Sequence, residues 1–473
     1  MKKVNPFQLC CVMFLLCVLA VSTASAQTFT TLALFDGTNG ALPGDISLVQ
    51  GFDGKFYGTT WYGGPSNAGV GFSVSPTGTL VPVYDLGGVA GNFPNGQLVL
   101  APDGDFYGAT QSGGAFGEGA AFELASDGTV SNLYNFCSQA NCDDGSLPLD
   151  GLIQATDGNF YGTAAEGGAH GPSTGTVFKI SPTGTFTLFY SFCQQTNCDD
   201  GVYPLALMQA SDESFYGTTF LGGSGGVGTV FKITRAGVFT LLHTFCSLST
   251  CLGQPSAGLI QGNDGNFYGT TSDFVFKMTP SGVTSPLARF CDGTDCPNGN
   301  SLEGGVIQAS DGNFYGTAEL HGPAGGGTVF KLTPSGTVTV LHSFCSQPSC
   351  ADGANPMGLV QGTNGILYGT TFSGGESGVD CIECGTVYSI SLGLSPFVKT
   401  IPIIGTVGET INILGQGFTG ASAVTFNGVS ATFTVKSDTH LTAVVPAGAS
   451  SGIVTVTTPG GPLSTLVSFK VRP

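Results

Sequence analysis

The amino-acid sequence predicts an all-β protein: a seven-bladed β-propeller closed by an N-terminal strand and followed by a small immunoglobulin-like β-sandwich. The first observation is repetition, because a Phe-Tyr-Gly-Thr segment or a close variant occurs seven times in 473 residues, with its tyrosines 47 to 55 positions apart. Short-strand repeats of this length are typical of propeller blades. The second is composition, since 76 Gly and 35 Phe indicate many short strands joined by tight turns. The third is the lack of sustained 3.6-residue periodicity, which argues against a helical repeat.

Each repeat contains four predicted strands, as the third repeat illustrates. Residues 151–155 form a short apolar strand, and Asp157-Gly158 then marks a tight hairpin because both residue types tolerate positive φ. The next strands are predicted at 160–163, 176–180 and 186–192. We therefore expect an antiparallel four-stranded sheet for every repeat.

The first hairpin of each repeat carries a turn-forming aspartate or asparagine. Six of the seven repeats have Asp-Gly or Asn-Gly at this place. The fourth repeat has Asp212-Glu213 instead. Because glutamate lacks the conformational freedom of glycine, we expect a different turn in the fourth repeat.

The two ends of the repeat array predict that it closes on itself. Residues 28–35 resemble the fourth strand of the other repeats, whereas no fourth strand follows residues 386–391. The N-terminal segment can therefore complete the seventh blade. That pairing would remove a free sheet edge, which isolated edge strands leave open to aggregation.

Strand order sorts the turns onto two faces. The first and third turns of each repeat fall on one face, the hairpin face, which holds mainly tight Asp-Gly and Pro-Thr/Ser-Gly turns. The second turns and the connections between repeats fall on the opposite face, the loop face. It carries the Gly-Gly loops, the cysteine pairs and the acidic runs Asp143-Asp144 and Asp199-Asp200. Binding groups favour longer loops on a rigid scaffold, so we expect any function on the loop face.

The repeat resembles the GloVer-type tandem repeats of choice-of-anchor bacterial surface proteins. The segments that carry this resemblance are DGNFYGTT (264–271), GTVFKIS (175–181) and the CDDG runs (142–145 and 198–201). It covers roughly residues 28–392. The resemblance implies export and association with the cell surface, and it implies no particular reaction.

The N-terminus and the charge balance point to the outside of the cell. Lys2 and Lys3, an apolar stretch and Ala24-Ser25-Ala26 predict a signal peptide over 1–26, followed by the propeller over 27–393. The chain after residue 26 has 11 basic and 31 acidic residues. This excess of acids argues against nucleic acid and anionic lipid as partners, and the mature chain has no predicted transmembrane span.

Cysteine usage also fits export. Twelve of the 15 cysteines follow residue 26 and form six neighbouring pairs with none left over. An even count in an exported chain predicts disulfides, whereas zinc would need two pairs brought together. The predicted disulfides are Cys137-Cys142, Cys193-Cys198, Cys246-Cys251, Cys291-Cys296, Cys345-Cys350 and Cys381-Cys384.

Composition changes near residue 394, and 394–473 predict a separate small β-sandwich without cysteine. Alternating runs and turns such as Asn427-Gly428 and Pro459-Gly460-Gly461 support this prediction. The segment resembles the IPT/TIG branch of immunoglobulin-like domains. The matching segments are 408–410, 413–418, 424–428, 444–446 and 452–454. Such domains act as spacers or interaction modules, and the resemblance implies a similar role here.

No residues form a recognisable catalytic set, and the sequence predicts no cofactor. The motifs of nucleophile elbows, zinc proteases and phosphate loops do not occur. His243 and His342 occupy fourth-strand positions that hold Tyr134 and Tyr190 in sister repeats. We interpret these histidines as structural.

Two features are candidate binding groups. The runs Asp143-Asp144 and Asp199-Asp200 suit a hard cation such as calcium, but Cys-Asp-Asp-Gly lacks the spaced ligands of a calcium loop. Solvated turn residues are the preferred interpretation. Trp61-Tyr62, in the second-turn loop of the first repeat, could stack on a sugar ring, and local packing is the alternative.

The sequence thus favours a secreted or cell-surface, non-enzymatic recognition or structural protein. Its partner would be an extracellular glycan or an envelope protein bound through the loop face. The alternative is an extracellular carbohydrate-active enzyme that uses loop-face carboxylates in pairs. Convergence of two acids at the channel mouth would distinguish the two.

Overall fold

The computed structural model describes residues 27–44, 48–87, 90–246, 252–293, 296–375 and 384–472. The predicted signal peptide, 1–26, lies outside the described residues. Over the described ranges the chain is all-β, as predicted, with three short 3₁₀ turns at Ala140–Cys142, Thr196–Cys198 and Pro348–Cys350.

Seven antiparallel sheets, counted over the described residues, follow one another along the repeat array. Six have four strands; sheet 2 has five, because two short strands both pair with the second strand of its repeat. The strands of sheets 1 to 3 are β2 (Val49–Gln50), β3 (Phe56–Thr59), β4 (Val70–Val74) and β5 (Leu80–Asp85); β6 (Asn92–Pro94), β7 (Val99–Leu100), β8 (Phe106–Ser112), β9 (Ala120–Leu124) and β10 (Val130–Asn135); and β11 (Ile153–Gln154), β12 (Phe160–Ala164), β13 (Thr176–Ile180) and β14 (Phe186–Ser191). Those of sheets 4 to 7 are β15 (Val202–Gln209), β16 (Phe215–Leu221), β17 (Thr229–Ile233) and β18 (Phe239–Thr244); β19 (Ile260–Gln261), β20 (Phe267–Thr270), β21 (Phe274–Met278) and β22 (Thr284–Arg289); β23 (Val306–Gln308), β24 (Phe314–Ala318), β25 (Thr328–Leu332) and β26 (Val338–Ser343); and β27 (Ala354–Gln361), β28 (Leu367–Ser373), β29 (Thr386–Ser391) and β1 (Thr28–Leu34).

The N-terminal strand closes the seventh sheet. Strand β1 pairs antiparallel with β29, from Thr28 opposite Ser391 to Leu34 opposite Thr386. The predicted pairing of the two ends is therefore confirmed. Phe29 of β1 also stacks on His342 of sheet 6, with 3.6 Å between ring centroids. One short strand thus completes a sheet and supplies an aromatic contact to its neighbour.

Neighbouring sheets are joined by a recurring contact between their second strands. Adjacent residues in a strand point to opposite faces, so the tyrosine of one Phe-Tyr-Gly segment can meet the phenylalanine of the next. Six of the seven junctions, all within described residues, have ring centroids 4.0 to 4.3 Å apart: Tyr57–Phe106, Tyr107–Phe160, Tyr161–Phe215, Tyr216–Phe267, Tyr268–Phe314 and Tyr368–Phe56. At the remaining junction, Tyr315 and Leu367 share one apolar cluster. The contacts therefore run from sheet 1 to sheet 7 and back to sheet 1.

A glutamine side chain reinforces five of these junctions. It stands at the end of the first strand, and its Oε1 accepts a hydrogen bond from a backbone N–H in the hairpin of the preceding sheet. The donor and acceptor pairs are Thr156 and Gln209, Ser211 and Gln261, Asn263 and Gln308, Ser310 and Gln361, and Thr363 and Gln50, at 2.8 to 3.0 Å. In sheet 2, Leu100 replaces the glutamine and Pro102 has no N–H to donate, which removes the bond from the two junctions of that sheet.

The hairpin aspartates form turns, as predicted, and also bind side chains of their own sheet. Asp157 Oδ1 accepts the backbone N–H of Asn159 at 3.1 Å. Its Oδ2 accepts the Tyr161 hydroxyl at 3.0 Å and the Lys179 ammonium at 3.1 Å. The same carboxylate therefore holds the turn, the second strand and the third strand together.

The prediction of a different turn in sheet 4 was wrong. Glu213 adopts φ +63°, and its N–H donates to the Ala210 carbonyl at 2.9 Å, as Gly158 N–H donates to Ala155. The turn is therefore the same, with a non-glycine residue in a conformation that costs about 1 kcal/mol or more. The Glu213 carboxylate forms ion pairs with Arg235 and with Lys470 of the C-terminal segment. This interdomain contact explains the departure from Asp-Gly.

The C-terminal segment forms two four-stranded sheets that share one apolar core, with Ile411 and Leu441 contributed by one sheet and Val424 and Val456 by the other. A parallel pair of short strands, β31 and β39, joins its ends. The strands are β30 (Lys399–Ile401), β31 (Ile404–Thr406), β32 (Thr410–Leu414), β33 (Ala423–Phe426), β34 (Val429–Ala431), β35 (Phe433–Val435), β36 (His440–Val444), β37 (Val454–Thr458), β38 (Gly461–Ser464) and β39 (Lys470–Arg472).

The C-terminal segment is docked on the hairpin face. Ile401 and Leu414 are buried in one cluster with Leu98 and Leu100 of sheet 2. Polar contacts reach first hairpins all around the array. They join Thr439 to Phe52, Asn412 to Pro102, Arg472 to Thr156, Lys470 to Glu213, Ser395 to Ser310, and Gly415 to Thr363. Six of the seven sheets thus contact this segment.

The closure strand supports a stability prediction. Replacing Phe29→Ala removes ring contacts to His342, Phe344 and Tyr388, so we expect the free energy of unfolding to fall by about 2 kcal/mol. Thr30→Ala is the matched control, because Thr30 lies exposed on the same strand and should change stability by less than about 0.5 kcal/mol. Chemical denaturation measures both. Equal losses in the two variants would contradict the role of β1 in closing the array.

Candidate functional site

The first strands of sheets 2 to 6 surround a cavity of about 680 Å³. Most of its wall is formed by Leu, Ile, Val, Ala and Gly side chains. The polar and aromatic groups that line it include Asn95, Asp150, Tyr203, Phe220, Ser256 and Glu303. A mainly apolar cavity of this size with a few polar groups is typical of a small-molecule site.

The cavity wall depends on close approach of backbones at the start of the first strands. A Cβ atom on Gly96 would lie 1.8 Å from the backbone nitrogen of Gly151, so only glycine fits at this contact. The chain enters the wall through a residue with positive φ followed by proline, as in Leu147-Pro148 and Tyr203-Pro204, with φ +54° and +55°. These local features recur between repeats, whereas the side chains that they place in the wall differ.

Asp150 is the most strongly perturbed acid in the wall. It is half-buried beside Gly151, and desolvation raises its pKa to about 6, although the backbone N–H of Ala206 opposes the shift by favouring the charged form. No lysine, arginine or histidine is among the residues that line the cavity. The carboxylate therefore faces the cavity without a compensating cation in its lining.

Two glutamates converge at the sheet 6 side of the cavity. The Ser301 hydroxyl lies 3.0 Å from Glu303 Oε1 and 3.2 Å from Glu319 Oε2. One hydroxyl proton serves only one acceptor at a time, so the two carboxylates share a single donor. Burial, together with repulsion from Glu303, raises the pKa of Glu319. Glu303 lines the cavity, and Glu319 is joined to it through Ser301 without being among the lining residues. Convergence of two acids was the feature proposed to distinguish an enzyme from a binding protein, and here only one of the pair belongs to the cavity wall.

Aromatic side chains stand where the second strands end near the cavity. Phe220 lines the cavity and is 40% exposed. Trp61 donates its Nε1–H to Asn95 Oδ1 at 2.8 Å, and its ring meets the edge of Phe372 at 5.5 Å between centroids. The sugar-stacking candidate Trp61 is thus engaged in local packing. Its neighbour Tyr62 is 38% exposed, and its ring centroid lies 5.1 Å from that of Phe93.

The cysteine loops lie between successive repeats. Four of the predicted pairs are at disulfide distance: Cys137-Cys142, Cys193-Cys198, Cys291-Cys296 and Cys345-Cys350, with Cα atoms 3.9 to 4.5 Å apart. Cys251 and Cys381, the predicted partners of Cys246 and Cys384, lie outside the described residues.

The acidic runs in these loops contain a buried structural carboxylate. Asp144 is fully buried, and its Oδ2 accepts the Tyr134 hydroxyl at 2.6 Å and the Ser138 backbone N–H at 2.9 Å. Asp200 is equally buried and accepts the Tyr190 hydroxyl at 2.8 Å. The prediction of solvated turn residues was therefore wrong for Asp144 and Asp200. Their oxygens are occupied by protein donors rather than presented to an ion.

The same loop shows how histidine replaces tyrosine. Asp352 of the sheet 6 to sheet 7 connection is fully buried, and His342 Nε2 lies 3.1 Å from its Oδ2. Burial lowers the pKa of His342, and the neighbouring carboxylate opposes this shift. His342 therefore has the place and contact of Tyr134 and Tyr190, which agrees with the structural role expected for it.

Sequence reasoning missed Asp150, Glu303, Glu319 and Phe220. A weak signal exists, because Asp150 and Glu303 each directly precede a glycine at the start of a first strand, where most other repeats carry a neutral residue. The sequence does not show that these positions face one cavity. That information lies in contacts between repeats.

Together these features define a tandem-repeat protein of propeller-like, all-β fold with a second β domain docked on one face. The chain belongs to the Gloeobacter/Verrucomicrobia repeat family, whose repeat matches residues 21–198, 139–296 and 273–412. An IPT/TIG domain matches residues 392–471. Both resemblances found in the sequence are confirmed.

Two solved structures share the fold. Streptogramin B lyase has a TM-score of 0.51 and 14% identity, over 77% of this chain and 97% of that chain. The extracellular domain of a protein described as a hybrid two-component system from B. thetaiotaomicron also has a TM-score of 0.51, with 10% identity over 95% of this chain and 60% of that chain. At such low identity the likeness shows the fold alone.

The curated protein sequences contain no significant match to this chain. In the ranges that the structure describes, no helix combines the length and the hydrophobicity needed to span a bilayer.

The loop carboxylates support a second prediction. The Asp200 carboxylate accepts hydrogen bonds from two backbone N–H groups and from the Tyr190 hydroxyl. Asp200→Asn replaces one acceptor oxygen by an NH₂ group that cannot accept them, so we expect a loss of about 2 kcal/mol or more in the free energy of unfolding. Asp199→Asn is the matched control from the same run and should cost much less. Thermal unfolding of both variants, with calcium and with chelator, is the measurement. A stability loss on chelation in the wild type but not in Asp200→Asn would instead show an ion bound there.

Asp150 supports a pH prediction. The folded-state pKa of Asp150 lies above that of an aspartate in the unfolded chain, so the folded protein is more stable when this carboxyl is protonated. This contribution to the free energy of unfolding is fully present below about pH 4 and is lost as pH rises through about 6. Asp150→Asn removes this loss, so the variant should be about 2 kcal/mol more stable than the wild type at pH 8 and similar at pH 4. Denaturant titrations at both pH values test this, with Asp143→Asn as control. A pH-independent difference would contradict the assigned pKa.

Proposed function

We propose that this chain is an exported surface recognition protein that binds a small extracellular ligand in its central cavity. In this proposal, the seven sheets are the blades of a closed β-propeller spanning 27–393, and 394–473 form an immunoglobulin-like sandwich. The observation that carries the proposal is the 680 Å³ cavity, whose apolar wall presents Asp150, Glu303 and exposed Phe220. Few convergent polar groups in an apolar cavity provide orientation and specificity for a ligand.

The docked C-terminal domain supports entry from the loop face. It contacts first hairpins of six of the seven sheets, and its Ile401 and Leu414 pack against the first strand of sheet 2. In this proposal, these contacts cover the hairpin end of a central channel. A ligand would therefore enter from the loop face, as the sequence analysis expected, and the IPT/TIG domain would act as a cap as well as a spacer.

Several observations support export. The chain begins with the pattern of a signal peptide over 1–26, and its loops hold disulfides that persist in oxidising compartments. The family resemblance implies surface association. The similar fold of an extracellular domain from a two-component system fits this placement, because that domain also lies outside the cell.

A second candidate function is favoured by one observation. Glu303, which lines the cavity, shares the Ser301 hydroxyl with Glu319, whose pKa is raised by burial. Glycoside hydrolysis uses such a pair, with one acid protonated and the other ionised. Turnover of a glycan that is lost in both Glu303→Gln and Glu319→Gln would replace the binding proposal with this enzymatic one.

Ligand screening tests the proposal directly. The purified exported chain is applied to glycan and polysaccharide arrays, and to a thermal-shift library of small extracellular molecules, with calcium and then with chelator. We expect at least one specific ligand whose binding is weakened about tenfold or more by Phe220→Ala, because the ring faces the cavity. Leu188→Ala, at an exposed apolar residue outside the cavity wall, is the matched control.

The proposal fails if no ligand is found in either screen. It also fails if every ligand found binds equally to the wild type, Phe220→Ala and Leu188→Ala. Either result would favour a function in binding protein partners or a purely structural role.

A further inference from the structure

We propose that the cavity selects an organic cation, meaning a protonated or quaternary amine carried on a hydrocarbon or aromatic body. The inference rests on the proposed function, and it adds the chemical class of the ligand. Three features of the described residues carry it: carboxylates without a cation in the wall, segregation of the lysines to the other face, and an aromatic ring in the same wall as the acids.

The first feature is uncompensated negative charge. Asp150 and Glu303 belong to sheets 3 and 6, and both line the cavity. Glu319 stands behind Glu303 through the shared Ser301 hydroxyl, and Glu166 accepts the hydroxyl of the lining residue Tyr203 at 2.7 Å. The residues that line the cavity include no basic side chain. A concave, low-dielectric wall with charges of one sign concentrates the opposite charge.

The second feature is the place of the lysines. In sheets 3 to 6 the third-strand lysine is paired with the aspartate of the first hairpin, at the opposite end of the sheet from the loop face. The pairs are Lys179–Asp157, Lys232–Asp212, Lys277–Asp264 and Lys331–Asp311, at 2.8 to 3.1 Å. These ammonium groups are engaged away from the cavity acids. Neutralisation of the cavity acids is therefore left to a ligand.

The third feature is an apolar and aromatic surface in the same cavity as the charges. Phe220 lines the cavity with its ring partly exposed, and Leu149 and Leu205 belong to the same wall. An aromatic face attracts a cation through its quadrupole, most strongly where water is excluded. Apolar walls bury a hydrocarbon body, whereas they offer no further oxygen ligands to a hydrated metal ion. Among the described residues, no three acidic, histidine or cysteine side chains are grouped as a metal site.

The test compares three probes of similar size and different charge: phenethylamine, phenethyl alcohol and hydrocinnamate. Isothermal titration of the full exported chain at pH 8 and low salt measures each affinity. We expect the amine to bind about tenfold or more tightly than the alcohol, and the carboxylate to bind weakest. This comparison uses the wild-type protein alone, so it does not depend on the folding of any variant.

Variants then locate the effect. Asp150→Asn combined with Glu303→Gln should reduce amine affinity to the level of the alcohol, while alcohol affinity stays within about twofold. The matched control is Asp143→Asn combined with Asp199→Asn, which removes the same number of charges outside the cavity wall and should leave amine affinity unchanged. Phe220→Leu should weaken the amine more than the alcohol, because it keeps apolar volume and removes the ring.

Each outcome bears on the inference. Equal binding of alcohol and amine, or tighter binding of hydrocinnamate, overturns the cation class while the proposed binding function stands. Equal loss of amine affinity in both double variants overturns the assignment to the cavity acids. Absence of binding by all three probes together with blank ligand screens overturns both the inference and the proposed function.

Discussion

The packing of a tyrosine from one sheet against a phenylalanine from the next is the contact on which the rest of the structure depends. Phe and Tyr are adjacent in the second strand and point to opposite faces, so each repeat serves two junctions with one dipeptide. Six such ring contacts and one between Tyr315 and Leu367 join the sheets in a continuous circuit. Strand β1 fastens that circuit, because its pairing with β29 completes the seventh sheet and its Phe29 stacks on sheet 6.

This closed series of contacts between sheets determines where a ligand-binding cavity can form. It holds the first strands around an axis, and backbone contact between Gly96 and Gly151 brings some of them as close as two backbones can approach. The space left between the others is the cavity. Because its wall is apolar and partly shielded from water, Asp150 in it has a raised pKa, whereas hydrogen-bond donors lower the pKa of Asp157 in the same repeat. The C-terminal segment contacts the first hairpins on the opposite face of the array.

Aspartate has three different roles in this protein, which differ in how deeply the side chain is buried and in which groups it contacts. At the hairpins, as in Asp157, it binds its own turn, a tyrosine and a lysine. In the cysteine loops, as in Asp144 and Asp200, aspartate is buried, and its carboxylate accepts hydrogen bonds from backbone N–H groups of the loop. In the cavity, Asp150 is half-buried, interacts with the backbone N–H of Ala206 and has no basic side chain among the other lining residues. Glu213 belongs to none of these groups, since it occupies the glycine position of its turn and forms ion pairs with Arg235 and Lys470.

The sequence by itself determined the repeat number, the four strands of six of the seven sheets, the closure by residues 28–35 and the turn role of the hairpin aspartates. These features depend on local patterns, since side-chain alternation and turn chemistry act over a few residues. It did not determine that Asp144 and Asp200 are buried, that Glu213 forms an ion pair with Lys470, or that Asp150 and Glu303 line one cavity. Only the tertiary structure decided these, because desolvation and ion pairing depend on groups brought together from repeats that lie far apart in the chain.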